Sequence, residues 1–315
     1  FNMNNLKKIG LTALGTAMIS TGAHAAAMSV SGATSIFFNG EDNSDMGNGW
    51  AMTDSITFSA SGEMDNGWTV STSIEMDNHI AANSSRSIAI DTGNGKLTFS
   101  GEGGSGPIGA WDDITPTANE EAHGVAVAGT QTGATSDAED SNFFIFDYTA
   151  MDGIAIKASY NPSATTTRVE SSTEIGVQYT GIDGLTLAYA MGENNDDPTT
   201  NGRKELRVAA AKYAAGSFTV GYQANEVDSD VANKDQDFTA MGVSYAVSDD
   251  MSVSLNSSKV EFEQTTLYDQ DATGISISYT QGGMTVSASH SKIDNVAGAQ
   301  ADDNSGYEVN FAFAF

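Results

Sequence analysis

The sequence predicts an all-β fold, a sixteen-stranded antiparallel transmembrane β-barrel with short turns at one end and long loops at the other. Three observations predict it: polar and apolar residues alternate through most of the chain, tight turns of Gly, Asn and Asp recur, and short connections alternate with long ones. Beyond residue 25, no apolar stretch reaches the roughly 20 residues that a membrane-spanning helix needs. A closed barrel instead satisfies the backbone polar groups between neighbouring strands.

Alternation is clearest near the end of the sequence. Tyr307, Val309, Phe311, Phe313 and Phe315 share one face of a predicted strand, and small or polar residues occupy the other face. Other segments show the same pattern, with Ser, Thr, Gly and Asn opposite the apolar side chains. A face that is both small and polar suits a water-filled lumen, and the apolar face then meets lipid.

Seven tight turns separate the alternating segments, and each joins two of them as a hairpin. The turns are Asp65–Gly67, Gly93–Gly95, Met151–Gly153, Ile182–Gly184, Ala214–Gly216, Ser248–Asp250 and Gln281–Gly283. Gly, Asn and Asp suit such turns because they tolerate positive φ. Seven hairpins give fourteen strands, and a strand at each end of the series, Met28–Phe38 and Tyr307–Phe315, makes sixteen.

Longer polar connections lie between the hairpins and alternate strictly with the tight turns. They span residues 39–50, 77–85, 102–141, 161–171, 193–203, 227–235, 261–271 and 294–305. Outer-membrane barrels combine short periplasmic turns with long external loops in this order. A soluble sandwich or a propeller would not need the alternation.

The composition excludes several classes of function. The formal net charge of −28 disfavours nucleic acid as a partner, because binding phosphates requires a basic surface. The absence of cysteine excludes thiol catalysis, cysteine-based zinc sites, iron–sulfur clusters and disulfides. His79, His123 and His290 are far apart in the sequence and have no paired catalytic motif, so we expect no enzyme activity.

Residues 1–25 are predicted to be a signal peptide. Lys7 and Lys8 precede an apolar run, Ile9–Ser20, and Ala23–Ala25 provides an A-x-A cleavage pattern. Its removal would take away two lysines and no acid, so the exported chain would be more acidic still. We therefore expect residues 26–315 to form the barrel domain.

On these features, the sequence resembles the Gram-negative general diffusion porins, most closely in style the sixteen-stranded outer-membrane porins of alphaproteobacteria. The resemblance covers the whole chain after the signal peptide. It rests on the Ala23–Ala25 signal, the hairpin order, the apolar last strand, and the position of the longest connection after the fifth strand. It implies location in the outer membrane and passive diffusion of small hydrophilic solutes and ions.

The resemblance also implies partners. Members of the family are homotrimers, and Gly32, Ala33 and Thr34 are small enough for packing between copies. Contacts with outer-membrane lipid and lipopolysaccharide are expected. In the family, the barrel assembly machinery recognises the apolar positions of the last strand. Here these positions are Tyr307, Phe311, Phe313 and Phe315.

The resemblance further implies that the connection 102–141 folds into the barrel and narrows the pore. Its first residues, Gly101–Gly104, allow a sharp bend. Four carboxylates of this connection are then candidates for the constriction: Asp112, Asp113, Glu120 and Glu121. The alternative interpretation is a solvated acidic external loop.

Family members are expected to present arginines on the wall opposite the acidic loop, and this sequence departs from that pattern. After residue 25, it contains only Arg86, Arg168, Arg203 and Arg207, which form no clear cluster. The charged residues predicted on the lumen wall are Glu75, Asp91, Lys96, Lys157, Glu174 and Glu308. A net negative lumen favours cations, because it concentrates counter-ions and repels co-ions.

Two other functions stay open at this point, a substrate-specific porin and a secreted β-rich adhesin. A sugar channel would require aromatic residues along the lumen, for which Phe143 and Trp111 are the candidates. No cofactor is predicted, although acidic loops could bind Ca²⁺ or Mg²⁺ loosely. The orientations of Asp54, Arg207 and Lys212 are not decided by the alternation.

Overall fold

In a computed structural model of the chain, sixteen antiparallel strands form one closed sheet. The structure describes residues 27–42, 49–77, 82–125, 127, 130–131, 141–162, 170–195 and 202–315. The segment expected to be a signal peptide, residues 1–25, lies outside the described residues. The sixteen-stranded barrel that the sequence predicts is confirmed.

The strands follow one another around the barrel in sequence order. They are β1 (Ala27–Glu41), β2 (Gly49–Glu63), β3 (Thr69–Asp77), β4 (Ala82–Asp91), β5 (Gly95–Glu102), β6 (Phe143–Met151), β7 (Ile154–Asn161), β8 (Ser172–Tyr179), β9 (Leu185–Asn195), β10 (Arg203–Ala215), β11 (Phe218–Ser229), β12 (Gln236–Ala246), β13 (Met251–Phe262), β14 (Gln270–Gln281), β15 (Met284–Asp294) and β16 (Asn304–Ala314). A short helix, α1 (Pro107–Trp111), lies between β5 and β6. The barrel closes where β1 pairs with β16, for example with Ile36 opposite Phe311.

The tight turns lie where the sequence predicts them. Glycines with positive φ occupy six of them, at Gly67, Gly93, Gly153, Gly184, Gly216 and Gly282. This conformation costs glycine little because it has no Cβ. Several strands extend further into the long connections than the alternation predicts; β1 reaches Glu41 and β11 reaches Ser229. Their polar ends still pair in the ladder, which a hydrophobic period cannot reveal.

Apolar side chains cover the outer face of the barrel. Exposed examples occur on most strands and include Val30, Phe58, Ile88, Leu187, Val220, Leu255 and Ile277. Four tyrosines of this face are exposed as well: Tyr148, Tyr160, Tyr222 and Tyr245. Amphipathic rings at these positions suit the interface between lipid and water. Among the described residues, no helix has the length and apolar character to cross a membrane.

Strand register decides the orientations that the sequence left open, since directly paired residues share a face. Lys212 pairs with Gly221 and lies on the lumen face, whereas Tyr213 faces outward. Asp54 pairs with Thr34 on the outer face. Arg207 also lies on the outer face, where its guanidinium contacts Glu226 and Glu205 at 3.0 Å each.

The small residues of β1 do not share one face. Ala33 pairs with Ser55 and Ala314 on the lumen face, so the expectation that it contributes to contacts between copies is wrong. Gly32 faces outward, and a Cβ there would lie 2.8 Å from a ring carbon of Phe315. Its open space is therefore occupied by the chain's own aromatic ring.

Candidate functional site

The long connection after β5 enters the barrel and packs against its inner wall. We call its described residues 103–125, 127, 130–131 and 141–142 the constriction loop. Ile108 and Trp111 of α1 are buried in an apolar cluster with Ala190, Leu206 and Val208 of β9 and β10. The inward fold that the family resemblance implies is therefore present, and the external-loop alternative is wrong for this segment.

Glycines on the lumen face provide the space in which the constriction loop packs. A Cβ at Gly176 would collide with the ring of Trp111. Pro116 occupies the space beside Gly221, where a Cβ would lie 2.5 Å from its Cδ. In the same way, a Cβ at Gly274 would lie 2.9 Å from the Cα of Ala122. In the sequence, these glycines resemble any other small residue of a polar strand face, so their role was missed.

Amide side chains on β11 hold the middle of the loop. The Nε2 of Gln223 donates to the carbonyl oxygen of Asp112, and the Oε1 of Gln223 accepts from the backbone N–H of Ile114 at 2.8 Å. Asn225 Nδ2 donates to the same carbonyl at 3.1 Å. These groups anchor the backbone at Asp112, which the sequence suggested only as a source of charge.

Hydroxyl groups on β13, β14 and β15 hold the next stretch. Ser254 Oγ accepts from the backbone N–H of Ala118 at 2.9 Å, and Ser276 Oγ donates to the carbonyl of Glu120 at 2.8 Å. The backbone N–H of Glu120 donates to Ser289 Oγ at 3.2 Å. Together, these bonds place the acidic stretch of the loop against one side of the lumen.

A cluster of carboxylates results, which we call the acidic cluster: Asp113, Glu120 and Glu121 of the loop and Glu308 of the wall. Burial is the largest cause that raises the pKa of Glu120 to about 7, and Glu308 and Asp113 raise it further. Burial followed by Asp113 raises the pKa of Glu121 to about 7. An acidic cluster of this kind attracts cations when it is ionised.

His123 lies at the edge of the acidic cluster and packs edge-on against Phe238, with ring centroids 5.0 Å apart. Burial lowers its pKa, although Asp113 acts in the opposite direction. A neutral imidazole therefore accompanies the carboxylates near neutral pH, and it does not cancel their charge.

The wall that faces the loop across the passage is lined with hydroxyl groups. Residues 106–122 contact the inner faces of strands β7 to β16, so the open passage lies between the constriction loop and strands β1 to β4. Lumen positions on these strands include Ser29, Ser31, Ser35, Thr53, Ser55, Thr57, Ser59, Ser71, Ser73 and Ser87. Glu75 adds a carboxylate, and Ser85 Oγ lies 3.5 Å from its Oε2.

A row of alternating charges crosses the lumen wall from β4 to β7. Asp91 pairs with Lys96, Lys96 with Asp147, and Asp147 with Lys157 in direct strand register. Each lysine Nζ lies 3.5 Å from an Asp147 carboxylate oxygen. The row lies close to the tight turns, because Lys96 directly follows Gly95 and Asp91 accepts from the N–H of Gly93 at 2.7 Å.

Arginines do not contribute to the described lumen wall. Arg86 pairs with the outward-facing Ile74, and Arg203 and Arg207 share the outer face of β10. Arg168 lies outside the described residues. The cations on the described lumen face are Lys96, Lys157, Lys204 and Lys212. In the part of the wall that the structure describes, the facing arginine cluster that the family resemblance implies is therefore not found.

Glu174 occupies a different setting from the other predicted wall residues. The other five face the lumen: Glu75, Asp91, Lys96, Lys157 and Glu308. Glu174 also faces inward, yet it is only 3% exposed because the constriction loop covers it. Its Oε2 accepts from the backbone N–H of Ile108 at 3.2 Å. Glu174 thus anchors the loop and does not line the open passage.

The aromatic residues proposed for a sugar channel are also covered. Phe143 is 2% exposed and Trp111 is 8% exposed, and both pack beneath or within the constriction loop. Within the described ranges, no group of three or more His, Cys, Asp or Glu residues is placed to hold a metal ion. Loose Ca²⁺ or Mg²⁺ binding at the acidic loops stays a prediction.

Replacing Asp147 with Asn should increase the anion permeability of the pore. The substitution leaves Lys96 and Lys157 without the carboxylate that lies between them. We expect a change of about twofold in the cation-to-anion permeability ratio, since water and salt screen the interaction between the lysines and a passing ion. Reversal potentials in a salt gradient measure this ratio. Asp183→Asn, at a tight turn outside the lumen, has the same charge change and should leave the ratio unchanged; an equal shift in both variants would contradict the prediction.

Comparison with known proteins agrees with the fold described above. A family model described as "Gram-negative porin" matches residues 10–281. No curated protein sequence matches the chain. Solved structures resemble its fold at low sequence identity, and their coverage extends over nearly the whole barrel.

Three of these structures illustrate the likeness. OmpT of Vibrio cholerae, in vitro folded and in a trimer form, has 13% identity, covers 92% of this chain and 99% of its own, and gives a TM-score of 0.66. An anion-selective porin from Comamonas acidovorans has 11% identity, covers 92% and 100%, and gives 0.68. A mutant of the porin of Rhodobacter blastica has 16% identity, covers 92% and 100%, and gives 0.67. At these identities, the likeness establishes the fold alone.

Proposed function

The chain belongs to the Gram-negative porin family and is an outer-membrane channel, and from this premise we propose that it lets small hydrophilic solutes and ions diffuse passively with a preference for cations. The observation that carries the proposal is the acidic cluster at the constriction, formed by Asp113, Glu120, Glu121 and Glu308. In the described wall, no arginine faces it.

The shared fold does not decide which ions pass. A porin from Comamonas acidovorans with this architecture is anion-selective, so the charges inside the barrel must set the preference. Fixed carboxylates concentrate cations near the narrowest part of the passage and repel anions. The lumen lysines favour the opposite sign, but Lys96 and Lys157 share Asp147. The loop carboxylates therefore dominate the narrow region.

Hydroxyl groups on β1 to β4 suit a channel without a binding site. They offer hydrogen-bond partners to hydrated solutes all along the wall. A substrate-specific porin would be supported by exposed lumen aromatics, and the two candidates are buried. A secreted adhesin would not require a closed sheet with an apolar outer face.

We also propose that the protein has no catalytic function. His123 lies with the constriction loop inside the barrel, whereas His290 pairs with Tyr307 on the outer face. These two imidazoles therefore lie on opposite sides of the wall and cannot share a site. His79 lies outside the described residues.

Channel activity can be tested with the chain folded into lipid. Planar bilayers should show stepwise ohmic conductance, and liposomes that contain the protein should swell in small sugars at rates that fall with sugar size alone. Saturation of the flux by one sugar would favour the substrate-specific alternative. An absence of both conductance and swelling would contradict the proposal and support the adhesin.

We propose a homotrimer that is formed through the outer face of β16, β1 and β2. Aromatic rings cluster there: Phe38 lies 5.2 Å from Trp50 and 5.9 Å from Tyr307, and Trp50 lies 6.5 Å from Phe311. Asp54 lies on the same face, where contact with protein would cost less than contact with lipid. The trimer form of OmpT supports the number of copies. Sedimentation in detergent should give the mass of three chains; a single-chain mass would contradict it.

The remaining surfaces are proposed to meet the membrane and the assembly machinery. Charged residues on the outer face of β10 to β15, such as Arg207, Glu226, Asp237 and Lys259, are placed for the polar region of lipopolysaccharide. The outward positions Tyr307, Phe311 and Phe313 of β16, with Phe315 beyond it, present an alternating apolar face. Exchange of the aromatic residues at 311 and 313 for Ser should slow membrane assembly in cells; an unchanged rate would contradict this role.

A further inference from the structure

Asn119 of the constriction loop makes three hydrogen bonds to side chains of the barrel wall. Its Nδ2 donates to Ser289 Oγ at 2.8 Å and to Glu308 Oε1 at 2.9 Å. Its Oδ1 accepts from Ser287 Oγ at 2.7 Å. The amide thus uses both of its N–H donors and one acceptor on two neighbouring strands, β15 and β16.

We propose that Asn119 is the positioning residue of the constriction, and that its amide sets the distance between the loop carboxylates and Glu308 and thereby the ion selectivity of the channel. The proposal rests on the proposed cation preference and adds the residue that controls it. Asn119 itself carries no charge, so it acts through the carboxylates on either side.

Repulsion between like charges makes such a residue necessary. Glu308 is close enough to Glu120 to contribute to the raised pKa of that loop carboxyl. When both carboxylates are ionised, they push the loop and the wall apart. The hydrogen bond from Asn119 to Glu308 opposes this, because a donor to a charged acceptor forms a strong hydrogen bond.

The packing on either side of Asn119 shows what its loss would change. On one side, α1 is buried in the apolar cluster that contains Trp111 and Leu206. On the other side, Ala122 is buried with Ala272 and Ile293. These two anchors do not involve Asn119, so its replacement should move the stretch between them and leave the barrel and the rest of the loop in place.

The test is a comparison of Asn119→Ala with the unaltered protein in planar bilayers. We expect the cation-to-anion permeability ratio to change by about twofold or more, and the open-channel current to become noisier, because the carboxylates can shift relative to one another. If Asn119 merely stabilised the fold, Asn119→Ala would unfold at a lower temperature than the unaltered protein but keep the same reversal potential. That result would overturn the inference.

Matched serine variants keep the inference testable if Asn119→Ala fails to fold. Ser287→Ala with Ser289→Ala removes the wall partners of Asn119, whereas Ser71→Ala changes a lumen hydroxyl on β3, which pairs with β2 and β4. The first pair should shift the reversal potential and the second variant should not. If the unaltered channel showed no cation preference, the proposed function would fail. If the unaltered channel preferred cations and the Asn119 and serine variants had the same permeability ratio, only this inference would fail.

Discussion

Exchange of Asp113 for Asn and of Glu120 and Glu121 for Gln should reduce the cation-to-anion permeability ratio by about tenfold at low salt and about pH 8.5. A unit charge about 5 Å from a passing ion contributes about 0.8 kcal/mol in water, and a factor of ten corresponds to about 1.4 kcal/mol. The three carboxylates of the constriction loop together exceed that value before screening when all are ionised. Salt should reduce the effect, since the screening length is about 10 Å at 0.1 M.

The measurement is the reversal potential of single channels in a salt gradient. A matched control changes the same number of acids outside the lumen, at the tight turns, with Asp183, Asp249 and Asp250 replaced by Asn. The control should keep the original ratio. If the acidic cluster variant also kept it, these carboxylates would not face the permeation path.

Acidification from about pH 8.5 to about pH 5.5 should weaken the cation preference strongly. The pKa of Glu120 and that of Glu121 both lie at about 7 because burial disfavours their ionised forms, helped by Glu308 and Asp113 for the first and by Asp113 for the second. Both groups are therefore ionised in the upper part of this pH range and protonated in the lower part. His123 stays neutral over most of it, because burial lowers the pKa of its imidazole.

The two raised pKa values make the stability of the folded loop depend on pH in the opposite sense from that given by a carboxylate whose pKa is lowered by folding. Since the folded pKa lies above the ordinary value of 4.5, packing of the loop is favoured at low pH. This advantage decreases as the pH rises from about 4.5 through about 7.

Reversal potentials recorded from pH 5.5 to 8.5 should follow one transition near 7 in the unaltered protein and none in the variant with Gln at 120 and 121. A transition that persists in that variant would assign the titration to other groups.

The barrel could be predicted from the sequence because its causes are local. Each strand shows its lipid face directly, as in Tyr307, Phe311 and Phe313, and each tight turn requires residues that tolerate positive φ. Lys212, whose orientation the alternation left undecided, faces the lumen because β10 continues regularly through it. Paired charges at the rim, such as Arg207 with Glu226, explain an outward arginine.

The contacts of the constriction loop could not be predicted in the same way, because many of them join residues more than a hundred positions apart. Gln223 and Ile114, or Asn119 and Glu308, meet only once the barrel has closed. Glu174 and Glu75 both occupy lumen-facing positions of their strands, yet the constriction loop covers Glu174 and leaves Glu75 in the passage. A signal that was present is the set of glycines at lumen positions, where Gly176, Gly221 and Gly274 leave space for the loop.

The most direct test of whether the acidic loop lies in the permeation path is to label a cysteine at position 120 with a thiol reagent and to record stepwise block of a single channel. Because the chain has no cysteine, Glu120→Cys would carry the one reactive thiol, and the unaltered protein should not respond to thiol reagents. Thr266→Cys, on the connection between β13 and β14, is the exposed control. We predict that a bulky charged thiol reagent lowers the current through Glu120→Cys channels and leaves the control unchanged. Complete labelling at position 120 with no change in current would contradict the account.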